Sequence, residues 1–206
     1  MRIGFDLDNT LACYDASFMA AAKLKGWLSE DLSPTTKSQV RQQIRLLPDG
    51  EHKWQELQAH VYGPGMGMAT LMTGADRFIQ TARKHKAFLT IVSHKTDYSP
   101  LDEHRRWPLR EAARQWMTAQ HFFHDTGLGF SPEHVHFTTT RQAKVQAITN
   151  LQLDLFIDDL TEVFLEPGFP HDQTRALLFD PGGLAANQSP IHRFAHWDAI
   201  HEWVFP

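Results

Sequence analysis

The segment Phe5-Asp6-Leu7-Asp8-Asn9-Thr10-Leu11 places two carboxylates two residues apart at the end of an apolar run. On a strand, side chains at that spacing point the same way, so Asp6 and Asp8 are expected together at the strand's carboxyl end. Two anions held side by side repel each other unless a cation lies between them. Hard carboxylate oxygens suit Mg²⁺ for that role. Taken alone, the segment also reads as a strand-end turn carrying two solvated aspartates. The same design recurs at Phe156-Ile157-Asp158-Asp159, where an apolar run again ends in acids. Acids from both segments at one sheet edge would be costly to crowd together without a metal. Ser93, in Thr90-Ile91-Val92-Ser93-His94-Lys95-Thr96, adds a hydroxyl donor, and Lys144 adds a fixed cation. Each alone reads as ordinary surface, but together they supply what a transferring phosphoryl group needs.

These residues need a scaffold that brings distant segments to one edge. Short apolar runs occur at Arg2 to Leu7, Phe88 to Val92, His134 to Thr138, Leu153 to Ile157 and Ala176 to Phe179. Runs that are apolar nearly throughout indicate strands buried on both faces, hence a parallel sheet covered by helices. Between them, Leu109, Ala112, Ala113, Trp116 and Met117 mark one helix face. Ala143, Ala147, Ile148 and Leu151 mark another, with Thr140 as its N-cap, and Phe78, Ile79 and Ala82 a third, opened by Asp76. Strand, helix, strand in alternation predicts an open α/β sheet with right-handed crossovers, which binds ligands at the carboxyl ends of its strands.

The stretch from about Tyr14 to Met72 interrupts the alternation and carries no convincing strand. It is far longer than one crossover requires. It reads as helices around Phe18 to Lys25, from Ser33-Pro34 through Val40, Ile44 and Leu47, and through Trp54, Leu57 and Val61. The expected division is a core of residues 1–13 and 73–206 with a helical cap of residues 14–72. Gly63 to Gly67 is glycine-rich, but no Gly-Lys-Ser/Thr follows, so a turn is expected there rather than a phosphate loop. His192 to Phe205 reads as a final amphipathic helix.

Composition limits the partners. A formal net charge of −4 gives no electrostatic case for a nucleic acid polymer or an anionic membrane. The single cysteine, Cys13, excludes an intramolecular disulfide framework. There is no apolar run of membrane-spanning length and no secretory signal pattern at the start, so a cytoplasmic protein is expected. His121 and His124 have the nearest thing to ligand spacing, and read as solvated helix residues.

The acids, the hydroxyl and the lysine, in this order, resemble the motifs of the haloacid dehalogenase (HAD) superfamily of phosphohydrolases. Asp6-Leu7-Asp8-Asn9-Thr10 matches its DxDx[TV] motif, and Ser93 matches the Ser or Thr that ends the next core strand. Lys144 best matches the lysine before the fourth strand, with Arg141 and Lys95 nearby, and Asp158-Asp159 matches the acidic pair. The resemblance covers nearly the whole chain outside the cap. It implies a Rossmannoid three-layer α/β core whose sheet runs 5-4-1-2-3, counting the strands above in chain order, and a small helical cap.

The resemblance also implies roles. Asp6 is the nucleophile that forms an aspartyl-phosphate, and Asp8 is the general acid and base. Mg²⁺ is held by Asp6, the backbone carbonyl of Asp8, and Asp158. Asp159 holds a water on that ion or Lys144, and Thr10 supports the first loop. Ser93 and Lys144 bind phosphoryl oxygens, helped by backbone N–H groups near Asn9 and His94. True dehalogenases of the superfamily lack the second aspartate, so Asp8 favours phosphoryl chemistry. The implied function is a Mg²⁺-dependent phosphatase whose partner is a small phosphorylated metabolite, with the cap acting as a lid. A phosphomutase or phosphotransferase using the same intermediate, and a non-catalytic binding protein of the same fold, are the alternatives.

Overall fold

The computed structural model describes residues 1–29, 31, 36–183 and 190–206. Its strands are β1 (Arg2–Phe5), β2 (Ala12–Cys13), β3 (Thr70–Leu71), β4 (Phe88–His94), β5 (Val135–Thr138), β6 (Leu155–Asp158), β7 (Arg175–Phe179) and β8 (Ile191–Phe194). Its α-helices are α1 (Asp15–Leu24), α2 (Lys37–Arg45), α3 (Gly50–Tyr62), α4 (Ala75–Lys84), α5 (Leu109–Ala119), α6 (Arg141–Asn150), α7 (Thr161–Phe164) and α8 (Trp197–Val204). The chain forms two compact units.

The first unit, Met1–Ala12, Leu71–Lys95 and Gln120–Pro206, contains a six-stranded sheet in the order β5-β4-β1-β6-β7-β8. Every pairing is parallel, with Phe5 opposite Ile91 on one side and Ile157 on the other. The expected five-strand order is present, and β8 extends it beyond β7. The sequence pattern places His192–Phe194, most of this strand, within the final helix. A four-residue edge segment is too short to show a period, and pairing with β7 decides its state. Asp180 and Arg193 form an ion pair at 3.0 Å beside that edge. The expected helix begins later, at Trp197.

The core of this unit is aromatic around β1. The Phe5 ring meets Phe130 at 5.8 Å, Phe78 at 6.0 Å and Trp197 at 6.2 Å. Gly4 faces the other way, onto β6. A β-carbon there would collide with Leu153 and would lie 2.7 Å from Phe156 Cδ2. Gly4→Ala is therefore expected to destabilise the protein by about 1–3 kcal/mol through overpacking. This should be read as a lower urea midpoint at unchanged slope.

The second unit comprises Cys13–Thr70 and Thr96–Ala119. The sequence boundaries leave Thr96–Ala119 with the core, whereas here α5 packs with the helical segment. Trp116 on α5 is buried and donates its indole N–H to the Ala69 carbonyl at 2.8 Å. Phe18 stacks on Trp54 at 4.9 Å, and Tyr14 meets Tyr62 edge-on at 5.0 Å. Helix α2 is capped by Thr36, whose hydroxyl accepts from the Gln39 N–H at 3.3 Å. The Ser33-Pro34 start expected for it lies outside the described residues. The glycines after α3 form turns: the Gly65 N–H closes onto the His60 carbonyl at 2.8 Å, and a 3-10 turn follows at Met66–Met68.

Candidate active site

The carboxyl ends of β4, β1 and β6 lie side by side, which brings residues near 6, 93 and 158 to one edge. Strand β1 ends at Phe5, but pairing continues for one more residue, since the Asp6 N–H donates to the Ile157 carbonyl at 2.8 Å. Asp6 is thus fixed to the sheet. Asp8 instead lies in a tight loop in which the Leu11 and Ala12 N–H groups both bond to the Leu7 carbonyl. Asn9 has a φ of 62°, a left-handed conformation that asparagine tolerates better than most residues.

Lys144 is the hub of the site. Thr140 caps α6 as expected, accepting from the Ala143 N–H at 3.0 Å, and this fixes the first turn that carries Lys144. The Lys144 ammonium lies 2.5 Å from Asp6 Oδ1 and 2.6 Å from Asp158 Oδ2. All three side chains are at most 7% exposed. Burial works against the charge on Lys144, but Asp158 and Asp6 outweigh it and hold the lysine protonated beyond its ordinary range.

Asp6 has the opposite problem. Burial pushes its carboxyl up to about 7, with Asp158 and Asp8 adding to the effect and Lys144 opposing it. One ammonium thus faces two buried carboxylates. Asp6, Asp158 and Asp159 each offer a carboxylate oxygen, and these oxygens all lie within 4.8 Å of one another. A divalent cation preferring oxygen ligands fits that donor set and would supply the missing positive charge. Asp159, expected in a supporting role, reaches the same point as the other two and is a direct candidate ligand. Its neighbour Asp158 also accepts from the Leu160 N–H at 2.9 Å through its second oxygen.

Ser93 lies near the end of β4, 1% exposed, and its hydroxyl has no hydrogen-bond partner among the described residues. A buried hydroxyl left unsatisfied is costly, and an anionic oxygen would satisfy it. The buried Thr10 hydroxyl is likewise without a partner, and the Thr10 carbonyl accepts from Trp197 Nε1 at 3.2 Å. Of the two backbone N–H groups expected to help bind phosphate, one has a partner within its own loop. The Asn9 N–H is used within its own loop, donating to the Ala12 carbonyl at 2.9 Å. At His94 it is the exposed ring, not the backbone N–H expected to help bind phosphate, that lies against the Thr139 carbonyl at 2.9 Å.

Lys144, Arg141 and Lys95, the three cations near the phosphate-facing position in the sequence, have different partners in the structure. Lys144 contacts Asp6 and Asp158. Arg141 pairs with Glu166 at 3.5 Å, and its side chain is about half exposed. Lys95 is buried against Asp8, Nζ to Oδ2 at 2.8 Å. The Lys95–Asp8 pair is absent from the motif pattern of the sequence. Its signal in the sequence is the alternation in Ser93-His94-Lys95, which aims the serine and the lysine to the same side of the strand.

No family model matches the sequence, and no curated protein matches it. Solved structures do match its fold. A HAD-superfamily hydrolase from Ehrlichia chaffeensis is 16% identical with a TM-score of 0.55, covering 98% of this chain and 95% of that one. The HAD-hydrolase YfnB from Bacillus subtilis, bound to magnesium, is 12% identical with a TM-score of 0.55, covering 100% and 98%. A dehalogenase with an intermediate complex is 11% identical with a TM-score of 0.58, covering 98% and 96%. The parallel sheet, its strand order and these likenesses together show that the chain has the fold of the HAD superfamily of hydrolases.

Proposed function

We propose that the protein is a Mg²⁺-dependent phosphatase that hydrolyses a small phosphomonoester through an aspartyl-phosphate on Asp6. The observation that carries this reading is the separation of the acids into two groups. Asp6, Asp158 and Asp159 offer carboxylate oxygens within 4.8 Å of one another, while the Asp8 carboxylate pairs with Lys95. One group suits a metal and a nucleophile, and the other suits a proton carrier. A structural relative bound to magnesium supports the choice of metal. Among dehalogenases and phosphatases of this fold, the second aspartate favours the latter, since halide leaves without a proton.

In the first step an Asp6 oxygen forms a bond to phosphorus as the ester oxygen leaves, and Asp8 gives that oxygen a proton. In the second, Asp8 takes a proton from water as the water oxygen attacks the same phosphorus, which frees Asp6 and inorganic phosphate. Asp158 and Asp159 would hold Mg²⁺ together with Asp6. When bound, Mg²⁺ neutralises charge on the transferring phosphoryl group. Lys144 stands beside Asp6 as a second fixed positive charge, and Ser93 offers a hydroxyl to a phosphoryl oxygen. The acidic net charge of −4 accords with a small substrate rather than a nucleic acid polymer.

The test is release of inorganic phosphate from p-nitrophenyl phosphate and from a panel of phosphorylated metabolites, with Mg²⁺ and then with EDTA. Turnover with Mg²⁺ that EDTA abolishes is expected, and kcat/KM across the panel ranks the substrates. No phosphate release from any member, in the presence of Mg²⁺, would overturn the reading. A newly phosphorylated compound without free phosphate would instead identify a phosphotransferase.

A further inference from the structure

Lys95 takes no part in the chemical steps described so far, yet it is one of the few buried charged groups among the described residues. Its side chain is 3% exposed, and its ammonium lies 2.8 Å from Asp8 Oδ2, on a carboxylate that is 19% exposed. A lysine is rarely this buried without a dedicated anionic partner, because the ion loses most of its hydration. The backbone beneath it is fixed. The Lys95 N–H donates to the Thr138 carbonyl at 2.9 Å, one residue past the His94 and Thr138 register pair, so the β4–β5 ladder still holds the chain at Lys95. Alternation along β4 sends Ser93 and Lys95 to one side and His94 to the other, where its ring meets the Thr139 carbonyl.

Asp8 is held differently, by a bridge to Ala12 within its own loop rather than by the main sheet. It follows the end of β1 and sits in the loop that Leu7, Asn9, Leu11 and Ala12 close among themselves. Asp6 is held by a sheet hydrogen bond at its backbone and by Lys144 at its side chain. The Asp8 carboxyl group, which Lys95 contacts at 2.8 Å, sets the direction in which a proton travels. Proton transfer to a leaving oxygen requires that direction to be right within narrow limits.

We propose that Lys95 is a positioning residue for Asp8: its ammonium fixes the rotamer and plane of the Asp8 carboxyl group so that the proton reaches the leaving oxygen. This rests on the phosphatase reading above. It differs from a role in binding phosphoryl oxygens, which would place Lys95 alongside Lys144 and would make it matter equally for every phosphate ester. A misplaced proton donor matters most when the leaving group needs a proton. p-Nitrophenolate leaves readily without one, and unsubstituted phenolate less so.

The experiment compares Mg²⁺-loaded wild type, Lys95→Met and Lys95→Arg on p-nitrophenyl phosphate and phenyl phosphate. Methionine matches the length of lysine without its charge, and arginine keeps the charge in a different hydrogen-bonding geometry. In Lys95→Met, kcat on phenyl phosphate is expected to fall on the order of 10²-fold, within the range of a lost general acid, and by about tenfold less than that on p-nitrophenyl phosphate. KM should change little for either ester. Lys95→Arg should shift the ratio of the two kcat values in the same direction by a smaller factor, and it remains informative if Lys95→Met fails to fold. In an Asp8→Asn background, Lys95→Arg should cost almost nothing further. A loss equal for both esters, a change confined to KM, or additivity with Asp8→Asn overturns the proposal. An inactive wild type overturns the phosphatase reading itself, and the two failures are thus distinct.

Discussion

Replacing Asp6 with asparagine is expected to stop turnover while leaving the fold in place. The amide has the same shape as the carboxylate, and the sheet bond from the Asp6 N–H to the Ile157 carbonyl does not involve the side chain. An amide nitrogen or a neutral amide oxygen cannot form and release the acyl phosphate, so the covalent step is lost rather than slowed. By comparison with other enzymes stripped of their nucleophile, kcat should fall by at least about 10⁴-fold. The checks are phosphate release from p-nitrophenyl phosphate and a hydroxylamine-sensitive phosphoryl group on the wild-type protein that the variant does not acquire. Retention of full activity by Asp6→Asn would show that another group attacks phosphorus.

The second large effect is on stability. Lys144→Met leaves Asp6 and Asp158 facing each other around a methyl group, in a region where the three side chains are at most 7% exposed. Removing one partner from a buried ionic cluster costs about 3–5 kcal/mol. For a chain of this size that corresponds to a melting temperature lower by roughly 6–20 °C in EDTA. Mg²⁺ should recover part of the loss, because a cation bound by Asp6, Asp158 and Asp159 stabilises only the folded state. The expected result is therefore a variant whose thermal stability rises with Mg²⁺ concentration more steeply than that of the wild type. Equal melting temperatures for variant and wild type in EDTA would mean that Lys144 does not hold these carboxylates together in solution.

The parts of this molecule that could be read from its sequence are those decided by local pattern. The β1, β4 and β6 runs are apolar enough to announce buried strands, and the acids at the ends of β1 and β6 stand out against those runs. Thr140 is legible as a cap because a hydroxyl before a helical period has one common use, and it accepts from Ala143 as that use requires. What could not be read depends on partners far away in the chain. Ile191–Phe194 becomes a strand because β7 offers it an edge, a fact absent from four residues of sequence. The role of Lys95 depends on a loop that turns back at Asn9, with its left-handed φ of 62°. The placing of Thr96–Ala119 with the helical segment is decided by contacts such as the Trp116 indole on Ala69, which no periodicity predicts. The family resemblance gives Asp159 a supporting position, whereas the fold brings its oxygen within 4.8 Å of oxygens of Asp6 and Asp158.

The sheet order has a consequence for synthesis on the ribosome. β1 emerges first but sits between β4 and β6, so both of its neighbours are translated much later. Until Leu155–Asp158 leaves the exit tunnel, the first strand has one open edge and the ammonium of Lys144 has only one of its two counterions. Long-range pairing of this kind is slow to form and leaves sticky backbone uncovered while it waits. Arrested nascent chains ending before Leu155 should accordingly bind holding chaperones, and release from them should coincide with translation past the acidic pair.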